Sequence, residues 1–279
     1  MGEDTKDIVE RICQREMNNK KLNEQPMCVL IGGLPGSGKT NLVEQVKSEH
    51  PDRDFLVIDA DYYRKLYPRP DELQKSPETA IAKTINFANA IEAELIKKGI
   101  EGKFDIISVT SLRATAAIDS IVYEPAINSG YKMEACIMSV PVRECGLSAQ
   151  NRYETQIEKK EFPRFTPMSF IEGSNSGIIK TILMLQGKRD RPVIKIYKRG
   201  KGENSMPIKY YDSTERSSKY RVALEAFMNP ETAITPENAS SQLKELYEKK
   251  ENRGADATEY QSLERLEELF GIERDKQVR

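Results

Sequence analysis

Gly33-Leu34-Pro35-Gly36-Ser37-Gly38-Lys39-Thr40 decides how this chain is read. It fits the pattern GxxxxGK followed by Ser or Thr. Glycines let successive backbone N–H groups turn toward one anion. A helix that starts at such a loop adds the positive end of its dipole. The lysine reaches the β- and γ-phosphates, and the hydroxyl after it ligates Mg²⁺. Nucleotide binding is thereby assigned to Gly33, Gly36, Ser37, Gly38 and Lys39, and the metal to Thr40. The pattern alone occurs by chance, but its flanks give it context. Met27–Ile31 is a short apolar run of buried-strand type, and residues 41–49 read as a helix.

Outward from this unit, strand and helix patterns alternate. Residues 3–23 predict an amphipathic helix with Ile8, Ile12 and Val9 on one face, ended by Pro26. Residues 55–58 read as a second strand that closes in Asp59-Ala60-Asp61. A helix over 78–98 ends at Gly99, and a third strand over 104–109 runs into Thr110-Ser111. A helix follows over 114–129, then a strand over 132–140 and helices over 142–160 and 170–186. A strand over 193–197 comes next. This order predicts a doubly wound α/β fold with a mostly parallel sheet of P-loop kinase type. Residues 200–219 read as loop. Residues 220–228 and 236–270 read as charged helices anchored by Leu243, Leu246, Leu263, Leu266 and Leu269. The expected division is a kinase domain over 1–204 and a helical C-terminal appendage over 205–279.

A P-loop specifies a nucleotide, not a reaction. Mechanical ATPases and GTPases add an apolar strand ending in Asp. Here the third strand reads Phe-Asp-Ile-Ile-Ser-Val-Thr and ends in hydroxyls. The carboxylates close the second strand instead, where ligands of open α/β sheets bind. Asp59 or Asp61 either caps the next turn or accepts a proton from an acceptor hydroxyl. Beside the P-loop, Asp61 is the favoured base. Charge on a transferring phosphate also calls for arginines. Arg152 and Arg164 lie in the right part of the chain, but an arginine in a charged helix is more often solvated.

The order of motifs selects them. GGLPGSGKT at 32–40, VIDAD at 57–61, NRYET at 151–155, Arg-x-Thr-Pro at 164–167 and IYKRG at 196–200 resemble the zeta toxins. These are the kinase halves of bacterial toxin–antitoxin pairs. The resemblance runs from about 25 to 200. It implies ATP and Mg²⁺, with phosphoryl transfer to the sugar 3′-hydroxyl of UDP-N-acetylglucosamine. It implies that Lys39 contacts the transferring phosphate, Asp61 activates the acceptor, and Arg152 and Arg164 stabilise the phosphoryl group. Thr110 and Asp59 would line the acceptor pocket, and Tyr197 and Arg199 would lie near the nucleotide. A proteinaceous antitoxin blocking the ATP site is implied as well.

The acceptor side departs from the family. Its third strand usually ends in Glu-Gly-Thr, where this chain has Ser108-Val109-Thr110. The acidic position on the preceding helix aligns with Asn89, with Glu92 and Glu94 nearby. Buried polar groups demand their partners, so such changes alter substrate choice. Two rivals therefore stand beside a UDP-N-acetylglucosamine kinase. One is a kinase for a dinucleotide or another nucleotide. The other is a nucleotide-binding interaction module without turnover, whose helical tail binds a partner.

Composition narrows the rest. The net charge of -1, from 43 basic and 44 acidic residues, pulls toward neither nucleic acid nor anionic membrane. The N-terminal stretch has no signal-peptide core, and a cytoplasmic protein is expected. Cys13, Cys28, Cys136 and Cys145 form no CxxC pair and read as buried thiols. The single histidine, His50, reads as a surface helix end, which argues against a His-centred triad.

Overall fold

The computed structural model describes residues 3–200, 206–215 and 219–272. Helix α1 (Glu3–Met17) leads to strand β1 (Met27–Gly32), the glycine loop and α2 (Lys39–Glu49). Strand β2 (Leu56–Asp59) runs directly into α3 (Ala60–Arg64), followed by α4 (Pro70–Lys75) and the long α5 (Ala80–Glu101). After β3 (Ile106–Val109) come α6 (Thr115–Ala117), a wider-wound turn over Ile118–Tyr123, and α7 (Glu124–Asn128). Strand β4 (Lys132–Met138) precedes α8 (Val142–Glu158), α9 (Met168–Gly187) and β5 (Val193–Lys198). The chain closes with β6 (Ile208–Asp212), α10 (Ala223–Met228), α11 (Pro236–Arg253) and α12 (Ala257–Phe270).

The sheet order is β2-β3-β1-β4-β5-β6. The first five strands are parallel, and β6 pairs antiparallel with β5. β1 lies between β3 and β4 and is buried at every residue. A strand covered on both faces needs a continuous apolar run, not an alternating one. The order reverses at β1, so its carboxyl end opens on the crevice where α/β proteins bind ligands. The glycine loop leaves from that end.

Local chemistry corrects several expected boundaries. α1 stops at Met17, where Asn19 turns the chain at φ 66, six residues short of the predicted end. α5 continues past Gly99 to Glu101. There the missing side chain lets the helix press onto Leu56 and Ile106, which a Cβ would meet at 3.1 and 3.0 Å. The helix predicted over 114–129 is wound unevenly just before Pro125, which has no N–H to give the ladder. The loop expected over 200–219 contains β6, an edge strand. The domain boundary expected between 204 and 205 lies outside the described residues. The helical stretch 236–270 is two helices, split at Gly254, with Thr235 and Asp256 capping their starts. Leu243, Leu246, Leu263 and Leu266 are buried, and Leu269 is half-buried. All four cysteines are free and buried. Among the described residues, no helix is long and apolar enough to cross a membrane.

Candidate active site

The glycine loop is built by backbone conformation. Gly33, Gly36 and Gly38 take φ of 145, 82 and 97, a region that side chains disfavour. Gly36 is the most constrained. A Cβ there would sit 2.2 Å from the Cys145 carbonyl oxygen of α8. The loop thus rests directly on that helix. Arg199, just past β5, tightens the contact by donating to the Gly36 carbonyl and, at 2.9 Å, to Ser148 Oγ. Ser37 is buried and its hydroxyl has no hydrogen-bond partner among the described residues. Thr40 is exposed in the first turn of α2.

Lys39 Nζ folds over the loop and donates to the carbonyls of Gly33 and Leu34 at 2.9 and 3.0 Å. Burial pushes its pKa down to about 8, helped by Arg152 and Arg164 and opposed by Asp61 and Asp59. A lysine in that state gains charge stabilisation from an arriving phosphate.

The two aspartates divide the roles left open by the sequence. Asp59 Oδ1 accepts from the Asp61 backbone N–H at 2.9 Å and caps α3. Burial and the Asp61 charge push its carboxyl up. Asp61 faces cations: Arg164 Nη1 at 2.6 Å and Arg64 Nε at 3.4 Å. Burial works to raise the Asp61 carboxyl, but Arg164, Lys39, Arg152 and Arg64 outweigh it and hold it below the usual range. Arg64 escaped the sequence reading. It is buried, donates to Ile81 O and Thr84 Oγ1 at 3.1 Å each, and so fixes Asp61 from behind. Its only sequence signal is a position three residues after Asp61 on one helix.

Arg152 and Arg164 approach from α8 and from the loop after it. Burial lowers the Arg152 pKa to about 10, with the Arg164 charge adding to the effect. Arg152 Nε has no hydrogen-bond partner among the described residues. Lys39, Arg152 and Arg164 therefore surround Asp61 with positive charge that its one carboxylate does not match, an arrangement suited to a polyanion.

The residues expected to meet the acceptor are less braced. Ser108 lies within β3, buried, with its hydroxyl unpartnered among the described residues. Thr110 Oγ1 accepts from the Leu112 backbone N–H at 3.3 Å, and Leu112 takes a φ of 53. Asn89 is exposed on α5. Glu92, three residues on, is the α5 carboxylate near Asp59, Asp61 and Arg64. Burial pushes it up to about 7, Asp59 and Asp61 adding to the rise and Arg64 opposing it. Glu94 pairs with Lys98 at 3.3 Å instead. Tyr197 corrects an expectation. It is fully buried, with its hydroxyl 3.3 Å from Glu49 at the far end of α2, and it does not reach the nucleotide side. His50 caps α2 at that same end.

The glycine cradle at the switch point of a parallel sheet, with a lysine and two arginines gathered at its mouth, defines a protein of the P-loop kinase fold. The family model described as Zeta toxin matches residues 9–213, and the chain belongs to that family. A Toxin zeta from Enterococcus hirae is 30% identical over 141 residues, 50% of this chain and 48% of that protein. The chain thus spans about half the length of the curated relatives it matches. A solved structure from the PezAT chromosomal toxin–antitoxin system of Streptococcus pneumoniae superposes with a TM-score of 0.68 at 21% identity, covering 89% of this chain and 97% of the other. A crystal structure of AvrRxo1-ORF1:-ORF2 with ATP superposes with a TM-score of 0.55 at 12% identity, over 95% and 88% of the two chains. At these identities the two structures speak for the fold.

Proposed function

We propose that this protein is an ATP-dependent kinase that phosphorylates a sugar hydroxyl of a nucleotide-sugar acceptor, UDP-N-acetylglucosamine being the first candidate. The observation that carries the reading is Asp61, paired with Arg164 at 2.6 Å beside the lysine of the glycine cradle. A carboxylate held ionised there is ready to accept a proton. Membership of the Zeta toxin family supports the same chemistry.

The nucleotide fits the residues present. The cradle has no side chains at Gly33, Gly36 and Gly38, and the buried Ser37 hydroxyl lacks a partner. Lys39 is spending its donors on loop carbonyls that a phosphate would replace. Among the described residues no group of three or more His, Cys, Asp or Glu side chains could hold a metal by itself. That suits Mg²⁺ carried largely by phosphate oxygens, with Thr40 as the protein ligand. Bound there, the ion would neutralise phosphate charge.

In the proposed reaction Asp61 accepts the proton as the acceptor oxygen attacks the terminal phosphorus in line, and the bond from that phosphorus to the bridging oxygen breaks to release ADP. Arg164 exchanges its carboxylate partner for phosphate oxygens. Arg152 and Lys39 take up the remaining negative charge, which is spread over the transferring group. The roles of Asp59, Thr110, Ser108 and Asn89 at the acceptor, and of Arg199 at the nucleotide, belong to this proposal. So does a proteinaceous antitoxin that covers the ATP site.

The test is ADP formation from MgATP with and without UDP-N-acetylglucosamine, with the acceptor weighed by mass spectrometry. The reading predicts an acceptor heavier by one phosphate, and no product from Lys39→Ala. A specific observation favours a second reading, a kinase with another acceptor. Ser108 and Asn89 stand in place of the family's acidic pair, with Glu92, a carboxylate of raised pKa, nearby. Turnover with a nucleotide or dinucleotide, and none with UDP-N-acetylglucosamine, would select it.

A further inference from the structure

We propose that α11 and α12 position the phosphate-side arginines, acting through a buried cluster of four charges: Glu154, Lys250, Arg253 and Glu259. What is positioned rests on the kinase reading above; the cluster itself does not.

α8 carries two sets of contacts. Toward the site, its Cys145 carbonyl and Ser148 hydroxyl support the glycine loop and Arg199, and it displays Arg152. It also holds the loop that bears Arg164. Gln156 Oε1 accepts from the Arg164 backbone N–H, and Gln150 Nε2 donates to Thr166 O, both at 3.0 Å. Toward the C-terminal helices, Asn151 Nδ2 donates to Gln242 Oε1 at 2.7 Å and Tyr153 to Glu259 Oε1 at 3.3 Å. Glu154 receives Lys250 at 2.7 Å and Arg253 at 2.9 Å. Lys250 also reaches Glu259 at 2.8 Å, and Arg253 pairs with the same carboxylate. The Lys250, Glu154 and Glu259 side chains are 0%, 3% and 1% exposed. The Lys250 ammonium lies 5.1 Å from the Tyr153 ring and 5.8 Å from the ring of Phe165, the neighbour of Arg164.

Two carboxylates meet two cations, so the cluster is formally neutral. Buried ion pairs seldom add stability over apolar residues of equal volume. Their difference from a leucine contact is direction. The bonds made by Tyr153 and Glu154 constrain the rotation of α8 about its own axis, and Arg152 stands one residue before Tyr153 and two before Glu154. Rotation matters because Arg152 and Arg164 carry like charges that repel each other, so their shared placement beside Asp61 needs support from the helix that carries them. A cluster that gives little net stability but fixes an angle is suited to alignment, and displacement of about 1 Å at a reacting group can cost around 100-fold in rate.

The test removes one charge of each sign, Lys250→Met with Glu259→Gln, in the full chain. The expected result is a folded protein whose kcat for acceptor phosphorylation falls about tenfold or more while KM for ATP stays within about twofold. Lys250→Arg keeps most of the rate. The loss is smaller in an Arg152→Ala background, because part of it acts through that group. Losses that multiply in that background overturn the proposal, as does wild-type kcat in the folded double variant. Hydrogen exchange gives a readout that needs no turnover: amides of α8 exchange faster in the double variant, and those of β1 do not. If the wild-type protein forms no ADP, the kinase reading fails and the exchange result alone decides. Unchanged exchange in α8 then overturns the positioning role.

Discussion

The two halves of the site are built by different means. On the phosphate side most groups are braced, Ser37 Oγ and Arg152 Nε excepted. Arg199 and α8 hold the glycine loop, Arg64 stands behind Asp61, and Gln156 fixes the backbone of Arg164. Among the residues proposed for the acceptor side, Ser108 has a buried hydroxyl without a partner among the described residues, Asn89 is exposed, and burial pushes the Glu92 carboxyl up to about 7. A phosphate is the same in every kinase reaction, so its cradle is fixed by backbone and charge. Under the proposed function the acceptor is what differs between enzymes, and only a few side chains are assigned to it. Groups that stay unpaired without ligand set what that ligand must offer.

The largest effects belong on the braced side. Arg164→Ala and Arg152→Ala are each expected to lower kcat by about 10³-fold, the lower range for an arginine that meets transferring phosphate. Asp61→Asn keeps the shape and removes the base, with an expected loss of about 10²–10⁴-fold. Rates from rapid-quench assays at saturating ATP and acceptor check all three. An Asp61→Asn protein with full turnover would remove the base assignment and erase the contrast between the halves.

Lys39 sharpens the comparison through pH. Its pKa of about 8 in the free protein lies well under the ordinary lysine value, and an arriving phosphate raises it. Binding therefore takes up a proton once the pH exceeds about 8. ATP affinity measured by calorimetry should be flat below that pH and fall above it, by up to about tenfold per unit. A flat profile to pH 9.5 would show that the lysine is charged before ATP arrives.

The acceptor side should respond less, and selectively. Ser108→Ala removes a hydroxyl that hydrogen-bonds nothing in the described structure, so stability should hold or rise. If the acceptor is its partner, KM for the acceptor rises about tenfold while KM for ATP does not change. Equal KM values in both proteins would mean that Ser108 is only core.

How much of this was legible follows the same division. The cradle could be read because its glycines encode backbone angles that other residues disfavour, and its strand and helix lie next to it in sequence. The parallel sheet was visible in the alternation of strand and helix patterns along the chain. Asp61 was favoured over Asp59 as base, but which of them caps and which faces the cations depends on the turn after β2. Arg152 and Arg164 became visible only through a family likeness. Arg64 was not found, because a buried arginine looks in sequence like any other charged helix residue. β6 was hidden by polar flanks and by being an edge strand with two exposed positions. The four-charge cluster joins residues about a hundred positions apart, a separation that no local pattern carries.

The smallest effect concerns Glu92, and its sign is specific. Its folded-state pKa of about 7 stands above the ordinary carboxylate value, with burial as the main cause. A carboxyl raised in this way favours the folded state when protonated. That contribution is complete below the unfolded pKa and is lost as the pH rises through about 7. Glu92→Gln mimics the protonated form at every pH. The variant should match the wild type in stability near pH 4 and exceed it at pH 8, by on the order of 1–2 kcal/mol. Denaturant titrations at the two pH values measure this directly. A variant less stable at pH 8 would mean that Arg64 governs Glu92 more strongly than burial does. Glu92 would then be one more braced charge, and the acceptor half would lose its distinction from the phosphate half.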